Sequence, residues 1–142
     1  MPVHEKKRAA LIAKLDGLIK DDSEPPAVSL AEFLDGNDDE DSLAVNMGVG
    51  LSEFRNVLAK VAKRKDVQDV YVQVVDLMED DPECWVYSDT LMVYTTATDE
   101  DEVPAWFGEC HPDEYRKMDA DELPPGAPPA KAGQMIVWCW YD

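Results

Sequence analysis

The sequence predicts an α+β domain with the ferredoxin-like split βαβ plan, in which elements in the order βαββαβ form an antiparallel sheet with helices on one face. Apolar residues recur at helical spacing in two segments, and β-branched residues alternate along a third. Two extra helices precede this plan. The 142 residues suffice for a single domain, 1–142, which we divide into an N-terminal helical extension, 1–28, and a core, 29–142.

Two N-terminal helices are predicted from spacing and capping. Leucines and isoleucines recur at helical spacing over 9–20, which predicts an amphipathic helix that Pro25 prevents from continuing. Ser29 followed by Glu32 matches a capping box, in which each side chain accepts a hydrogen bond from the other residue's backbone N–H. A short second helix is therefore expected over 30–34.

The first half of the predicted core contains two strands and the helix between them. The apolar segment 42–47 precedes two glycines and is assigned as the first strand, and Ser52 is taken as the N-cap of the helix. Valines alternate with other residues over 70–75, which predicts the second strand. The apolar stripe of the helix is formed by Phe54, Val57, Leu58 and Val61.

The second half of the core begins with a strand over 85–96. This strand is expected to form a long-looped hairpin with the preceding one, and Ser88 and Asp89 mark a bend or bulge in it. A helix with Asp101 as its N-cap then follows, because that start keeps Pro104 out of the helix interior.

The end of the chain combines a long loop with an apolar strand. Residues 111–133 include five prolines and are predicted to wrap around the domain without regular structure. Residues 134–141 form the last strand, which is apolar on both faces. The loop and the N-terminal helix are the candidates for covering the sheet face that the other helices leave open.

Several short runs are distinctive as a group, and they lie at 33–42, 66–70, 87–90, 106–107 together with 112–114, and 140–142. They resemble a family of small acidic bacterial proteins of unknown function. The resemblance covers about residues 29–142 and leaves out the first helix, which it implies is an addition to the shared core. It implies a bacterial single-domain protein, and it supplies no activity, cofactor or site residue.

The charge of the chain is strongly negative and unevenly distributed. Thirteen Lys and Arg against 31 Asp and Glu give a net charge of −18. Residues 1–65 carry ten basic against twelve acidic residues, whereas residues 66–142 carry three against nineteen. Nucleic acid is excluded as a ligand because its affinity depends on Lys and Arg, and no apolar run is long enough for a membrane span.

The acidic half leads to the first functional hypothesis, a non-enzymatic interaction domain of the immunity or inhibitor type that binds a basic protein partner. Simple solubility is the alternative reading of the charge. Trp138 and Trp140 on the last strand are candidate binding anchors, unless that strand is buried on both sides. The candidate acidic contacts are Asp99, Glu100, Asp101 and Glu102.

Carboxylates also lead to a second hypothesis, a small enzyme or a divalent-cation or ligand-binding domain. Asp35, Asn37 and Asp39 occupy positions 1, 3 and 5 of a calcium-loop pattern. The pattern then fails, because Glu40 replaces the glycine and Asn46 replaces the bidentate glutamate that it requires. The carboxylates available to this hypothesis are Asp38, Asp39, Glu40 and Asp89.

Cysteine chemistry offers little. Cys84, Cys110 and Cys139 lack the spacing of a zinc site or a disulfide framework, so reduced thiols and a cytoplasmic location are expected. Cys110 and His111 are adjacent, and adjacent side chains point apart on a strand or loop. We therefore assign no catalytic residue and no cofactor, and leave the oligomeric state open.

Overall fold

The computed structural model describes residues 4–19 and 24–142 and has an α+β fold. In these residues the α-helices are α1 (Glu5–Leu18), α2 (Leu30–Leu34) and α3 (Leu51–Ala62). The strands are β1 (Ala27–Ser29), β2 (Val67–Asp76), β3 (Tyr87–Thr95), β4 (Glu114–Lys117) and β5 (Met135–Trp140). Short 3₁₀ helices cover Val45–Met47, Glu100–Cys110 and Ala120–Glu122.

The strands form one sheet in the order β1-β2-β3-β5-β4, and every neighbouring pair is antiparallel. The antiparallel α+β class is confirmed, but the ferredoxin-like strand order is wrong. That plan needs a central strand from 42–47, and this segment instead ends in a 3₁₀ turn with Ala44 and Gly48 in left-handed conformations. The segment contacts the sheet through an isolated bridge between Leu43 and Ser88, in which Ser88 N donates to Ser42 O at 3.0 Å and Ala44 N donates to Ser88 O at 2.9 Å.

Two edge strands, β1 and β4, complete the sheet and were not predicted. In β1, Val28 pairs with Val72 of β2. The strand ends at Ser29, where the predicted capping box is confirmed: Ser29 Oγ accepts from Glu32 N at 3.2 Å, and Ser29 N donates to Glu32 Oε1 at 3.3 Å. The capping box was predicted correctly, but the strand that ends at the same serine is only three residues long and was missed.

Helix α3 and the β2–β3 hairpin match the prediction in kind. Helix α3 begins at Leu51, so Gly50 is its N-cap and the predicted N-cap, Ser52, lies within its first turn. The Ser52 hydroxyl donates to the Glu40 carboxylate at 2.8 Å. The expected irregularity in β3 is present: the register shifts opposite Ser88, whose hydroxyl donates to the Gln73 carbonyl at 2.7 Å. Because β2 and β3 pair in antiparallel orientation, the predicted hairpin is confirmed.

The segment after β3 differs from the prediction in two respects. Its helix is 3₁₀ in form and is capped by Asp99, whose side chain accepts from Asp101 N at 2.9 Å, so Asp101 is not the N-cap. Gly108 then breaks the helical conformation with φ +54°. The region 111–133 contains β4 and a further 3₁₀ turn, so the prediction of a purely irregular loop there is wrong.

Two apolar clusters occupy the two faces of the sheet. The main core lies between the helices and one face and includes Leu11 and Leu15 of α1. A smaller cluster on the opposite face is covered by the proline-rich loop, defined here as residues 118–129. The expected covering by this loop is confirmed, whereas α1 packs into the main core. In the parts of the chain described above, no helix is long and apolar enough to cross a membrane.

Buried ionisable groups give the fold a defined alkaline limit, and loss of stability is expected as the pH rises from about 9 toward 12. Burial raises the pKa of Cys139 to about 12 and the pKa of Tyr141 and Tyr94 well above the ordinary phenol value. These groups ionise earlier in the unfolded chain, so the stability present below pH 9 declines above it. Thermal melts followed by circular dichroism across this range should show a falling Tm, and a constant Tm up to pH 12 would contradict this packing.

Candidate functional site

Side-chain alternation along β5 decides where the two C-terminal tryptophans lie. Val137 and Cys139 point into the main core, so Trp138 and Trp140 point to the opposite face. Both indole side chains are half-buried, and so the strand is not sealed on both sides. Trp138 pairs across β3 with Met92, in the part of this face that the proline-rich loop covers.

A groove of about 990 Å³ lies beside this covered part, on the same face of the sheet. Gln73, Thr90 and the two tryptophans form part of its lining. Gln73, Thr90 and Trp140 occupy adjacent register positions on β2, β3 and β5, so the groove crosses three strands. Other lining residues are Glu24, Pro25 and Val75, and from the proline-rich loop Leu123, Pro124, Pro125, Gly126 and Ala127.

The groove is acidic. Four carboxylates line it, and Arg116 is the one basic residue among the described residues that do so. The carboxylates are those of Glu24, Asp89, Asp121 and Glu122. Because Arg116 is already paired within the groove, the other three carboxylates have no lining cation among residues 4–19 and 24–142 to neutralise them. The electrostatic field of the groove is therefore suited to a positively charged ligand.

Arg116 reveals how the groove holds a cation. Its guanidinium binds Glu122 through two nitrogens, Nη1 to Oε1 at 2.9 Å and Nη2 to Oε2 at 2.7 Å. It also lies over the Trp138 ring, 5.2 Å from the ring centroid. The pKa of Glu122 is lowered by its hydrogen bond to Arg116, and the pKa of Arg116 is raised by the same bond. The Arg116 guanidinium is thus held both by stacking on an aromatic ring and by a bidentate bond to a carboxylate.

Hydrogen bonds to two carbonyl oxygens of the proline-rich loop hold this wall of the groove in place. Ala27 N donates to Pro125 O at 2.8 Å, and Tyr94 Oη donates to Pro128 O at 2.6 Å. Gly126 has φ +91°, and a Cβ there would lie 2.2 Å from the Ala27 carbonyl oxygen. The close approach of the loop to β1 therefore requires glycine at this position.

The predicted acidic contacts lie on the other face of the sheet. Tyr115 pairs with Cys139, so its side chain shares the helix-bearing face, and its hydroxyl donates to Asp101 Oδ1 at 2.9 Å. Glu100 accepts from Lys117 N at 2.8 Å and thereby covers part of the β4 edge. The structure therefore does not bring Asp99, Glu100, Asp101 and Glu102 together with Trp138 and Trp140.

The residues of the calcium-loop pattern are engaged with the protein itself. The Asp35 carboxylate forms an ion pair with Lys7, 2.7 Å away. Asn37 is buried and donates to Ser42 Oγ at 2.9 Å, while the two oxygens of Asp39 accept from Asp41 N and Trp85 N at 3.0 Å. Across residues 4–19 and 24–142 there is no group of three His, Cys, Asp or Glu side chains placed to hold a metal ion.

The remaining candidates for chemistry do not converge. Of the carboxylates in the enzyme hypothesis, Asp89 lines the groove, whereas Asp38, Asp39 and Glu40 do not. Burial raises the pKa of the Cys110 thiol, the opposite of what a nucleophilic cysteine needs. His111 Nδ1 contacts the Gly108 carbonyl oxygen at 3.2 Å.

Sequence reasoning found the tryptophans but missed the rest of the groove. Arg116 lies on the unpredicted strand β4, Glu122 lies in the proline-rich loop, and Gln73 lies on β2. Arg116 pairs with Trp138 across the strands, Gln73 reaches Trp140 through Thr90 of β3, and Glu122 is brought in by its bond to Arg116. No local pattern encodes these long-range contacts. Residues 114–117 contain one aromatic residue, Tyr115, among three charged residues, so no alternation pattern was available to identify the strand.

Comparison with known proteins is consistent with the resemblance found in the sequence. The family model described as "Uncharacterized protein YfbO family" matches residues 6–139, so the match includes most of α1, and the first helix is not an addition to a shared core. The curated "Uncharacterized protein YfbO" of Escherichia coli (strain K12) is 30% identical over 140 residues, which cover 96% of this chain and 97% of the relative. No solved structure matches the chain significantly. The chain belongs to the uncharacterised YfbO family.

Proposed function

We propose that this protein is a non-enzymatic interaction domain whose groove docks a basic segment of a protein partner. The observation that carries the proposal is the combination of two half-buried tryptophans with four carboxylates in one groove. Aromatic rings supply binding energy in a desolvated contact, and the carboxylates steer and orient a positive partner. An inhibitor or immunity protein would use such a groove to cover basic residues of its target.

Solubility alone does not account for this arrangement. A solubilising charge acts equally well anywhere on the surface, and it needs no aromatic floor beneath it. Here the carboxylates surround large apolar rings that the proline-rich loop leaves partly open. The groove also joins a smaller depression lined by Ile19 and Val75, which are 46% and 42% exposed. Ile19 and Val75 thus place exposed apolar side chains next to the groove.

We place this function in the cytoplasm as part of the same proposal. The support is that Cys84, Cys110 and Cys139 are all free thiols. Free thiols persist in reducing compartments such as the cytoplasm.

Titration with hexalysine by isothermal calorimetry tests the docking proposal. Binding is expected at low salt, and the affinity should fall at least about tenfold between about 50 mM and about 300 mM NaCl because salt screens the attraction. The double variant Glu24→Gln with Asp121→Asn removes two groove charges and should weaken binding about tenfold at low salt. Neither of these side chains makes a hydrogen bond within the described residues, so folding should be unaffected.

The matched control removes two charges from the other face. Asp101→Asn with Glu102→Gln has the same net charge as the groove variant but leaves the groove intact. Its affinity for hexalysine should remain within about twofold of the unmodified protein. Equal weakening by both double variants would show that hexalysine responds to net charge alone, and the groove would lose its assigned role.

A further inference from the structure

We infer that Trp140, together with Asp89 and Glu114, is a subsite for one arginine side chain of the docked partner. This inference rests on the proposed function and specifies the ligand that the groove takes. It follows from a comparison between two neighbouring positions on β5. One of them is already filled by a residue of this chain, and the other has a tryptophan beside acidic residues but no stacked cation among the described residues.

The filled position is Trp138. Its cross-strand partner on β4 is Arg116, whose guanidinium stacks on the indole ring and is held by two hydrogen bonds to Glu122. The guanidinium thus has the indole ring against its planar face and the Glu122 carboxylate along its edge. Its presence demonstrates that this face of the sheet stabilises a guanidinium by stacking and carboxylate pairing.

Trp140 lies two residues further along β5 on the same face, and its β4 partner is an acidic residue instead of an arginine. Trp140 pairs on one side with Glu114 of β4 and on the other with Thr90 of β3, whose hydroxyl donates to Asp89 Oδ1 at 2.8 Å. Directly paired residues project to the same face. Glu114 therefore lies on the same face as Trp140, and Asp89, which lines the groove together with Trp140, is held beside Thr90 by this hydrogen bond. In the described parts of the chain the cations that stack on tryptophan are Arg64 on Trp106 and Arg116 on Trp138.

The chemistry favours arginine over lysine. A guanidinium is planar, stacks on an indole ring and can donate to two carboxylates along its edge, whereas an ammonium acts as a compact point charge. Only one arginine of the partner can bind in this region, because the positive charge of Arg116 would repel a second cation placed over Trp138. The partner segment therefore contributes a single arginine at Trp140.

Calorimetric titration with hexaarginine and hexalysine, which carry equal charge, tests this assignment. Hexaarginine is expected to bind at least about threefold more tightly. Trp140→Leu should remove that preference by weakening hexaarginine about fivefold and hexalysine by less than about twofold. On titration with hexaarginine, the indole N–H resonance of Trp140 in an ¹H–¹⁵N spectrum should shift, and that of Trp106 on the other face should not.

A second, isosteric pair of variants guards against a folding defect in Trp140→Leu. Asp89→Asn keeps an oxygen to accept from Thr90 and should weaken hexaarginine about threefold, whereas Asp101→Asn, on the opposite face, should leave it unchanged. If both peptides bind equally and Trp140→Leu affects neither, the subsite is refuted while docking of basic segments stands. If neither peptide binds at low salt, the proposed function and the subsite fall together.

Discussion

Replacing Gly126 with alanine is expected to lower the free energy of unfolding by about 3 kcal/mol and to abolish binding in the groove. The backbone at this position has φ +91°, which is unfavourable for any residue with a Cβ. A Cβ would also approach the Ala27 carbonyl oxygen to 2.2 Å and the Leu18 side chain to 2.9 Å. The loop must then lift from β1, and the hydrogen bond from Ala27 N to Pro125 O is lost.

Gly133→Ala is the matched control for Gly126→Ala. Gly133 also has a positive φ, +82°, but no atom lies within 4 Å of a Cβ built there. Only the conformational cost remains, about 1 kcal/mol, and binding of hexalysine should be unchanged. Urea unfolding and peptide titration of both variants provide the measurement. Equal destabilisation by the two substitutions would mean that the loop is not seated on β1 as described.

Leu15→Ala in α1 is expected to destabilise the whole protein by about 3 kcal/mol. The Leu15 side chain is fully buried in the main core, so truncation leaves a cavity beneath the sheet. Arg8 ties the same helix to a distant loop by donating to the carbonyls of Met78 and Cys84 at 2.6 Å. We expect one cooperative unfolding transition, which circular dichroism and tryptophan fluorescence should report at the same urea concentration.

Ile19→Ala provides the comparison for Leu15→Ala. Ile19 follows the end of α1 and its side chain is 46% exposed, so its truncation should change stability by less than about 0.5 kcal/mol. If Leu15→Ala leaves the main transition unchanged and melts only α1, residues 1–28 form a separable extension of the core. The predicted division of the chain would then hold in its strict form.

The local structure of this chain was more predictable than its topology. The capping box at Ser29 and Glu32, the apolar stripe of α3 and the β2–β3 hairpin are encoded within a few residues of one another, and all three are present. Segment 42–47 has strand-like composition, but the positive φ of Ala44 and of Gly48 turns it away from the sheet. Composition carries no information on such a turn unless a glycine stands at each position.

The edge strands and the groove depended on long-range pairing. The side chains of β4 are all exposed, so Glu114–Lys117 shows none of the alternation of polar and apolar residues that marks a half-buried strand. Arg116 therefore could not be placed beside Trp138 from its sequence context. The concentration of acidic residues was evident from the sequence, but its division between two sheet faces required the register of β4 against β5.

The most direct test of the account is a map of backbone amide shifts as hexalysine is added to ¹⁵N-labelled protein. Groove binding predicts that the largest shifts occur at Gln73, Thr90, Trp140 and the proline-rich loop, with little change over 99–102. Largest shifts over 99–102, or small shifts spread evenly over the molecule, would contradict the claim that this face of the sheet is where a basic partner docks.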